Sequence, residues 1–282
     1  MQIFLDSEQI KVVIDAFKAQ QLKVGLVPTM GALHKGHLAL VEKALANNDK
    51  VFVSIFVNPT QFNNSDDLIK YPRTLEKDIE LLESLSKDIL IFAPSVEAIY
   101  TGDTKSQKFD FDGLEFEMEG KFRKGHFDGV GTVVKRFFDI IKPDNAYFGE
   151  KDFQQLQIIK KLVSKYHIPV HVVGCKIHRE SNGLAMSSRN TRLTDKQKKE
   201  SPFIYEILKA AKKHFGTKSA NQVTEWVTKQ FENNSVFTLE YFIIADVESL
   251  KQVKRKSNNK KYRAFIAVYA GEIRLIDNIA LN

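Results

Sequence analysis

The chain has 282 residues, with 42 Lys and Arg against 35 Asp and Glu, for a formal net charge of +7 at pH 7. Its 43% hydrophobic and 27% charged residues are the composition of a soluble globular protein, and no apolar run approaches the ~20 residues of a membrane span. The lone cysteine, Cys175, excludes an intrachain disulfide, and M-Q-I-F-L-D-S-E lacks the basic start and apolar core of a signal peptide, so a cytoplasmic protein is expected.

In chain order, Ser7 is a candidate N-cap for a helix over 7–19, with Ile10, Ile14 and Phe17 on one face. Residues 23–27 read as a buried strand, Pro28 is expected to end its ladder, and Gly31 frees the backbone for a turn. From Gly36 onward Leu38, Val41 and Leu45 repeat at helical spacing. The stretch V-P-T-M-G-A-L-H-K-G-H-L, 27–38, is therefore strand end, glycine turn and helix start. Such a helix points unpaired N–H groups and the positive end of its dipole above the strand, which suits an anion. Gly36 lets a ligand approach the backbone, and His34 and His37 can donate to phosphate oxygens. The alternative is that both histidines only cap the helix.

Residues 51–57 (V-F-V-S-I-F-V) form a near-continuous apolar run, the mark of a strand covered on both faces. Ligands of parallel sheets bind just past the carboxyl ends of strands, so N-P-T-Q-F, 58–62, puts Asn58 and Gln61 where a substrate is held. Gln61 has both a donor and an acceptor and can read a hydroxyl and a carboxylate together. A plain polar loop is the alternative. An exposed loop is expected over 63–71, a helix over 75–85 with Ile79 and Leu82 facing in, and a strand over 89–93 closed by Pro94. Residues 109–120 are acidic and aromatic without a clear period. F-R-K-G-H-F-D-G-V-G-T-V-V, 122–134, reads as a glycine-punctuated loop leading into a helix with Val134, Phe137, Phe138 and Ile141. Arg123 and His126 either reach a phosphate or carboxylate from that loop or lie on the surface.

A short strand over 146–148 is followed by G-E-K-D-F-Q-Q, 149–155, opening a helix with Leu156, Ile159 and Val163 inside. This repeats the strand, glycine, helix order of the first turn. Gly149 permits close approach of a nucleotide, and Lys151 is a compact cation suited to phosphate. Asp152 serves as an N-cap or holds a ribose hydroxyl or another site residue, and Gln155 stays near the strand end. Residues 170–173 read as the last strand of this sheet, and Cys175 just after it as a buried, inert thiol. In R-E-S-N-G-L-A-M-S-S-R-N, 179–190, small residues precede Ser187, Ser188 and Arg189, which suits an anion-binding loop; an N-capping turn is the alternative.

The character then changes. T-D-K-Q from Thr194 and S-A-N-Q from Ser219 look like capping boxes before helices. Strands are expected over 239–244, 264–269 and 273–276, with a tight hairpin at Ala270-Gly271. The basic run 251–263 reads as a solvated loop. The expected fold class is α/β: a Rossmann-like parallel-sheet domain over 1–178, then a small α+β domain with an antiparallel sheet over 179–282.

H-K-G-H at 34–37 resembles the signature of the nucleotidyltransferase superfamily, and the wider P-T-M-G-A-L-H-x-G-H is similar to the pantoate–β-alanine ligase (pantothenate synthetase) family. Five motifs match in order from Pro28 to Asn190. The resemblance implies two steps: ATP and pantoate give pantoyl adenylate and pyrophosphate, then the amine of β-alanine displaces AMP to give pantothenate. It implies that Met30, Gly31, Ala32, Leu33, His34, Lys35, Gly36 and His37 bind ATP, with both histidines on its phosphates and His37 the residue often assigned as proton donor. Gln61 and Gln155 would hold pantoate, Gln61 also β-alanine, and Asn58 would lie beside them. Gly149, Glu150, Lys151 and Asp152, with Met186, Ser187, Ser188 and Arg189, would complete the ATP site. His178 stands where the backbone usually meets the adenine. Mg²⁺ would accompany ATP, with Asp78 helping to coordinate it. A homodimer is implied, with the C-terminal domain closing over the site and neither nucleic acid nor membrane as partner.

Three positions depart from the family pattern. Lys124 replaces the proline of R-P-G-H-F, Asn182 replaces the aspartate of R-E-x-D-G-L, and His178 replaces a small apolar residue. These bear on loop rigidity and adenine-edge packing. Two rivals are a different adenylating enzyme and, from the net charge, a nucleic-acid-binding protein; an enzyme whose ligands are all anions accounts for the charge equally well.

Overall fold

The computed structural model describes residues 1–63, 65–100 and 102–282. The chain divides into two units, Met1–Glu150 with Gln155–Lys176, and Lys151–Gln154 with Ile177–Asn282.

The first unit runs β1 (Gln2–Phe4), α1 (Ser7–Ala19), β2 (Val24–Thr29), α2 (Lys35–Leu45), β3 (Lys50–Ile55), α3 (Ser65–Ile69), α4 (Leu75–Glu83), β4 (Leu90–Phe92), α5 (Val96–Ile99), α6 (Glu119–Phe122), α7 (His126–Ile141), β5 (Asn145–Gly149), α8 (Phe153–Lys165, in this unit from Gln155) and β6 (His171–Cys175). The six strands form one sheet in the order β1-β4-β3-β2-β5-β6, and every registered pair is parallel. Val27, Val51, Val53 and Ile91 from the strands and Val41, Ala44 and Leu82 from the helices are buried in one cluster. This is why these strands read as continuous apolar runs instead of alternating ones. Strand β2 has β3 on one side and β5 on the other, so the strand order reverses there. In open parallel sheets the crevice at such a point, beyond the carboxyl ends, receives the ligand.

Several local expectations are corrected. Asp6, not Ser7, caps α1, its carboxylate accepting from Gln9 N at 2.9 Å. The ladder of β2 runs through Pro28 to Thr29, opposite Ser54 and Ile55. Phe56 N donates to Thr29 O at 3.1 Å, so Thr29 faces β3 and Pro28 faces the other side, where pairing with β5 is registered only at Gly25 and Leu26. The missing proline N–H therefore interrupts nothing. The short helix α3 lies within the span read as a loop, 63–71, of which position 64 is outside the described residues. Helix α7 starts at His126 and contains the glycines read as loop punctuation. A Cβ on Gly129 would lie 2.5 Å from Thr60 O, and one on Gly131 would lie 3.0 Å from the Phe111 ring. Tertiary approach, not chain reversal, requires Gly129 and crowds the position of Gly131. The three-residue strand β1, absent from the sequence reading, adds to the sheet edge beside β4.

The second unit holds α9 (Asp195–Glu200), α10 (Pro202–Thr217), α11 (Ala220–Phe231), β7 (Thr238–Asp246), β8 (Tyr262–Ala270) and β9 (Ile273–Ala280). The strands form an antiparallel meander, β7-β8-β9. The hairpin closes from Ala270 to Ile273, with Gly271 at φ 62° in the left-handed region a two-residue turn favours. Thr194 and Ser219 cap α9 and α11 with complete capping boxes, as their spacing predicts. Leu208, Val223, Val227, Ile244 and Ile266 are fully or almost fully buried in this unit's own core. The basic run read as a solvated loop over 251–263 is mostly exposed from Lys251 to Lys261, but its last two residues, Tyr262 and Arg263, are buried at the start of β8.

Candidate active site

The turn after β2 is held at both ends by its own polar groups. Thr29 Oγ1 donates to Ser54 O at 2.7 Å and accepts from Gly31 N at 3.2 Å. Gly31 (φ 78°) and Ala32 (φ 50°) are both in the left-handed half of the map. Only glycine takes that conformation without strain; for Ala32 it costs ~1–2 kcal/mol. The carboxylate of Asp78, 1% exposed on α4, accepts from Ala32 N at 2.9 Å and Leu33 N at 2.7 Å. Thr74 Oγ1 donates to the same carboxylate at 3.3 Å.

His34 is the N-cap of α2, with its Nδ1 accepting from Gly36 N at 3.1 Å. His37 Nδ1 accepts from His34 N at 3.4 Å. The two rings lie 4.1 Å apart, centroid to centroid. The histidines thus form a reciprocal capping box. An Nδ1 that accepts places the neutral ring's proton on Nε2. The sequence predicts unpaired N–H groups at this helix start, but those of Ala32, Leu33, His34 and Gly36 are already bonded to Asp78, His37 and His34. What this turn presents to an anion is the helix dipole and the imidazole edges.

The turn after β3 meets it directly. Gln61 Nε2 lies 2.9 Å from Met30 Sδ. Asn58, expected to face a substrate, is 1% exposed and engaged inside the unit: its Nδ2 donates to Gln61 Oε1 and to Gly129 O, both at 3.1 Å. Tyr100 OH donates to Asn58 Oδ1 at 2.7 Å and lies 2.8 Å from Thr60 Oγ1. Burial pushes the Tyr100 phenol above its ordinary pKa, so it stays a donor. Arg123 Nη2 donates to Gln61 O at 3.2 Å, and Nδ1 of His126, a residue 6% exposed, is 2.8 Å from the same oxygen. Neither Arg123 nor His126 is a simple surface residue; both grip the Gln61 main chain. Tyr100 carries no local sequence signal for this role, because its partners come from another turn.

At the carboxyl end of β5, Gly149 closes the ladder opposite Cys175, and Glu150 begins a single 3₁₀ turn, with Gln155 partly exposed in the first turn of α8. Cys175 is 5% exposed and burial pushes its thiol up, as expected of an inert core cysteine. Among the described residues, no three His, Cys, Asp or Glu side chains gather as a metal cage. Both oxygens of Asp78 already accept backbone N–H groups, a donor set that does not fit a resident cation.

In the second unit, Asn278 Nδ2 donates to Lys151 O at 2.8 Å, and Lys151 Nζ is 3.6 Å from Asp152 Oδ1. The exposed His178 presents its carbonyl to Met186 N at 3.0 Å. Ser187 caps a 3₁₀ turn, Ser188–Arg192, its Oγ accepting from Arg189 N at 3.3 Å. Asn182 Oδ1 accepts from Leu184 N at 3.0 Å, the acceptor's part an aspartate also plays, so this departure from the family pattern keeps the turn. Beneath it Arg179 forks onto Asp277 at 2.6 and 2.9 Å and stacks on Tyr205, 3.7 Å from the ring centroid. Burial raises the Asp277 carboxyl even against that guanidinium.

Comparison with known proteins bears on the whole chain. The family model described as pantoate-beta-alanine ligase matches residues 2–280. A pantothenate synthetase of Flavobacterium psychrophilum is 60% identical over 282 residues, covering 100% of both chains. One from Christiangramia forsetii is 58% identical over the same full length. The crystal structure of pantothenate synthetase from Thermus thermophilus is similar with a TM-score of 0.90 at 37% identity, covering 100% of this chain and 99% of that one. A pantoate-beta-alanine ligase from Francisella tularensis, solved with beta-gamma ATP and beta-alanine, has a TM-score of 0.80 at 38% identity and covers 100% of this chain and 98% of that one. With the fold, the histidine turn and these matches taken together, the chain belongs to the pantoate–β-alanine ligase family.

Proposed function

We propose that this chain condenses pantoate with β-alanine, cleaving ATP to AMP and pyrophosphate. The observation that supports this most is the Met30–Gln61 contact at the carboxyl ends of β2 and β3. It joins a histidine-capped helix start, suited to phosphate, to an amide suited to a hydroxy acid.

In the first step a pantoate carboxylate oxygen attacks the α-phosphorus of ATP, the bond to the bridging oxygen breaks, and pyrophosphate leaves. Charge develops on the leaving phosphates, and fixed positive charge and positioned donors lower the barrier. His34 and His37 serve as neutral Nε2–H donors to those oxygens. Lys151, Ser187, Ser188 and Arg189 supply further donors and charge to ATP, with Gly149, Glu150, Asp152, Met186 and the His178 backbone around it. Gln61 and Gln155 hold pantoate, and Asn58 orients Gln61. In the second step the neutral β-alanine amine forms the C–N bond at the acyl carbon, the acyl C–O bond to the phosphate breaks, and AMP departs while the amine proton passes to its phosphate or to water.

Magnesium would accompany ATP and offset part of its phosphate charge, and Asp78, with both oxygens engaged by the main chain, is not assigned to hold it. A cytoplasmic homodimer is part of the same reading; among the described residues no helix is long and apolar enough to cross a membrane. Incubation with ATP, pantoate and β-alanine should give AMP and pantothenate in equal amounts. AMP formation that needs another acid, or none, defeats the proposal.

A further inference from the structure

We propose that Asp78 is a positioning residue for the phosphate-binding turn and not a magnesium ligand. The inference rests on the reading above, in which the histidines of that turn meet ATP.

The carboxylate is 1% exposed and accepts from the consecutive N–H groups of Ala32 and Leu33 at 2.9 and 2.7 Å. Successive main-chain N–H groups turned to one side make an anion cradle. Here the anion filling the cradle is a side chain of the protein. The acceptor comes from α4, 46 residues along the chain from Ala32, so the contact ties the turn to a separate element. The tie is needed where it occurs, because Ala32 stands at φ 50° and Gly31 at φ 78°. A Cβ on Gly31 would lie 3.0 Å from Asp78 Oδ2 and 3.1 Å from Ile55, so the carboxylate also occupies the space behind the glycine. One residue beyond Leu33, His34 begins the capping box whose geometry fixes the Nε2–H tautomer of both rings. Asp78 thus acts on ATP through the turn and the histidines.

Asparagine is the discriminating substitution. It matches aspartate in shape but has one oxygen, so one of the two N–H groups would face an NH₂. Asp78→Asn should lower the rate of pantoate-dependent adenylate formation about 10²-fold. Pantoate KM and the Mg²⁺ concentration for half-maximal rate should stay within about threefold of wild type. The nitrogen NMR shifts of His34 and His37, read without any turnover, should lose their pure Nε2–H pattern. Adding Ala32→Gly should recover part of the rate, since glycine holds φ 50° without the clamp. Should Asp78→Asn fail to fold, Thr74→Val removes the 3.3 Å bond to the same carboxylate and should slow the reaction about threefold with an unchanged Mg²⁺ requirement.

A raised Mg²⁺ requirement met by excess Mg²⁺, or wild-type histidine shifts and rate in Asp78→Asn, overturns the proposal. Because the shifts are read in the resting protein, they test the clamp even if the wild-type chain proves to act on another acid.

Discussion

His34 and His37 stand out by their spacing, but their hydrogen bonds decide which nitrogen can work. With Nδ1 of each ring accepting from the main chain, the active edge is Nε2–H. His37→Asn keeps an acceptor near the Nδ1 position and loses the distal donor. Its adenylation rate should fall about 10²- to 10³-fold, with a melting temperature unchanged within about 2 °C. The pH–rate profile should keep its shape in His37→Gln, as a neutral donor requires; loss of one limb would mark a true acid and contradict this role. Lys151→Ala should cost the same step roughly 3–4 kcal/mol and leave the fold intact, and near-normal turnover refutes its role. Cys175, buried with its thiol pushed up, should react with alkylating reagents at pH 8 far more slowly in the native protein than in denaturant. The residue types of the candidate site stand out in sequence because histidine, lysine and serine in glycine-bounded turns are chemically specific. The hydrogen-bond partners of Asp78 and Asn58 escape it for a physical reason. A carboxylate and an amide look alike in sequence whether they face a ligand or a backbone, and only their partners, on distant segments, tell the two apart.

Among the elements, the strands of the parallel sheet and the helices on it follow from apolar runs and 3.6-residue periods. Two of the failures turn on what lies beside the chain. Gly129 and Gly131 read as loop residues because glycine lowers helix propensity by ~1 kcal/mol, yet both lie inside α7, where another segment leaves no room for a Cβ on Gly129 and crowds one on Gly131. Pro28 reads as a strand end, yet it lies past the limit of pairing on its own side. For the two glycines a tertiary neighbour overrides a local preference; for Pro28 the end of pairing on its own side removes the cost of the missing N–H. Gly129→Ala isolates that effect. A Cβ 2.5 Å from Thr60 O and 2.9 Å from Gln61 Cα must push the Gln61 turn away. The substitution should destabilise the protein by about 1–3 kcal/mol, although alanine is the better helix former, and should raise the pantoate KM. A gain in stability would show that the turn moves without resistance.

Across the whole chain, each unit carries its own core and its own share of the expected ligand-binding residues. The Asn58, Gln61, His34 and His37 motifs lie in the first, and Lys151, Asp152 and the Met186–Arg189 loop in the second. In the second unit the loop is anchored by Arg179, whose fork onto Asp277 is almost fully buried on the aspartate side. Arg179→Met leaves that carboxylate without its cation and should cost about 3–5 kcal/mol, seen as a lower melting temperature. The net charge of +7 fits a protein whose substrates are a triphosphate and two carboxylates. The proposed reaction stands on two points: pantoate is the acid activated, and its activation precedes the amine. Exchange of labelled pyrophosphate into ATP, run without β-alanine, reads both at once. Exchange should appear only when pantoate is added; no exchange with pantoate, or exchange supported by an amino acid or a phosphate ester in its place, contradicts the proposed reaction.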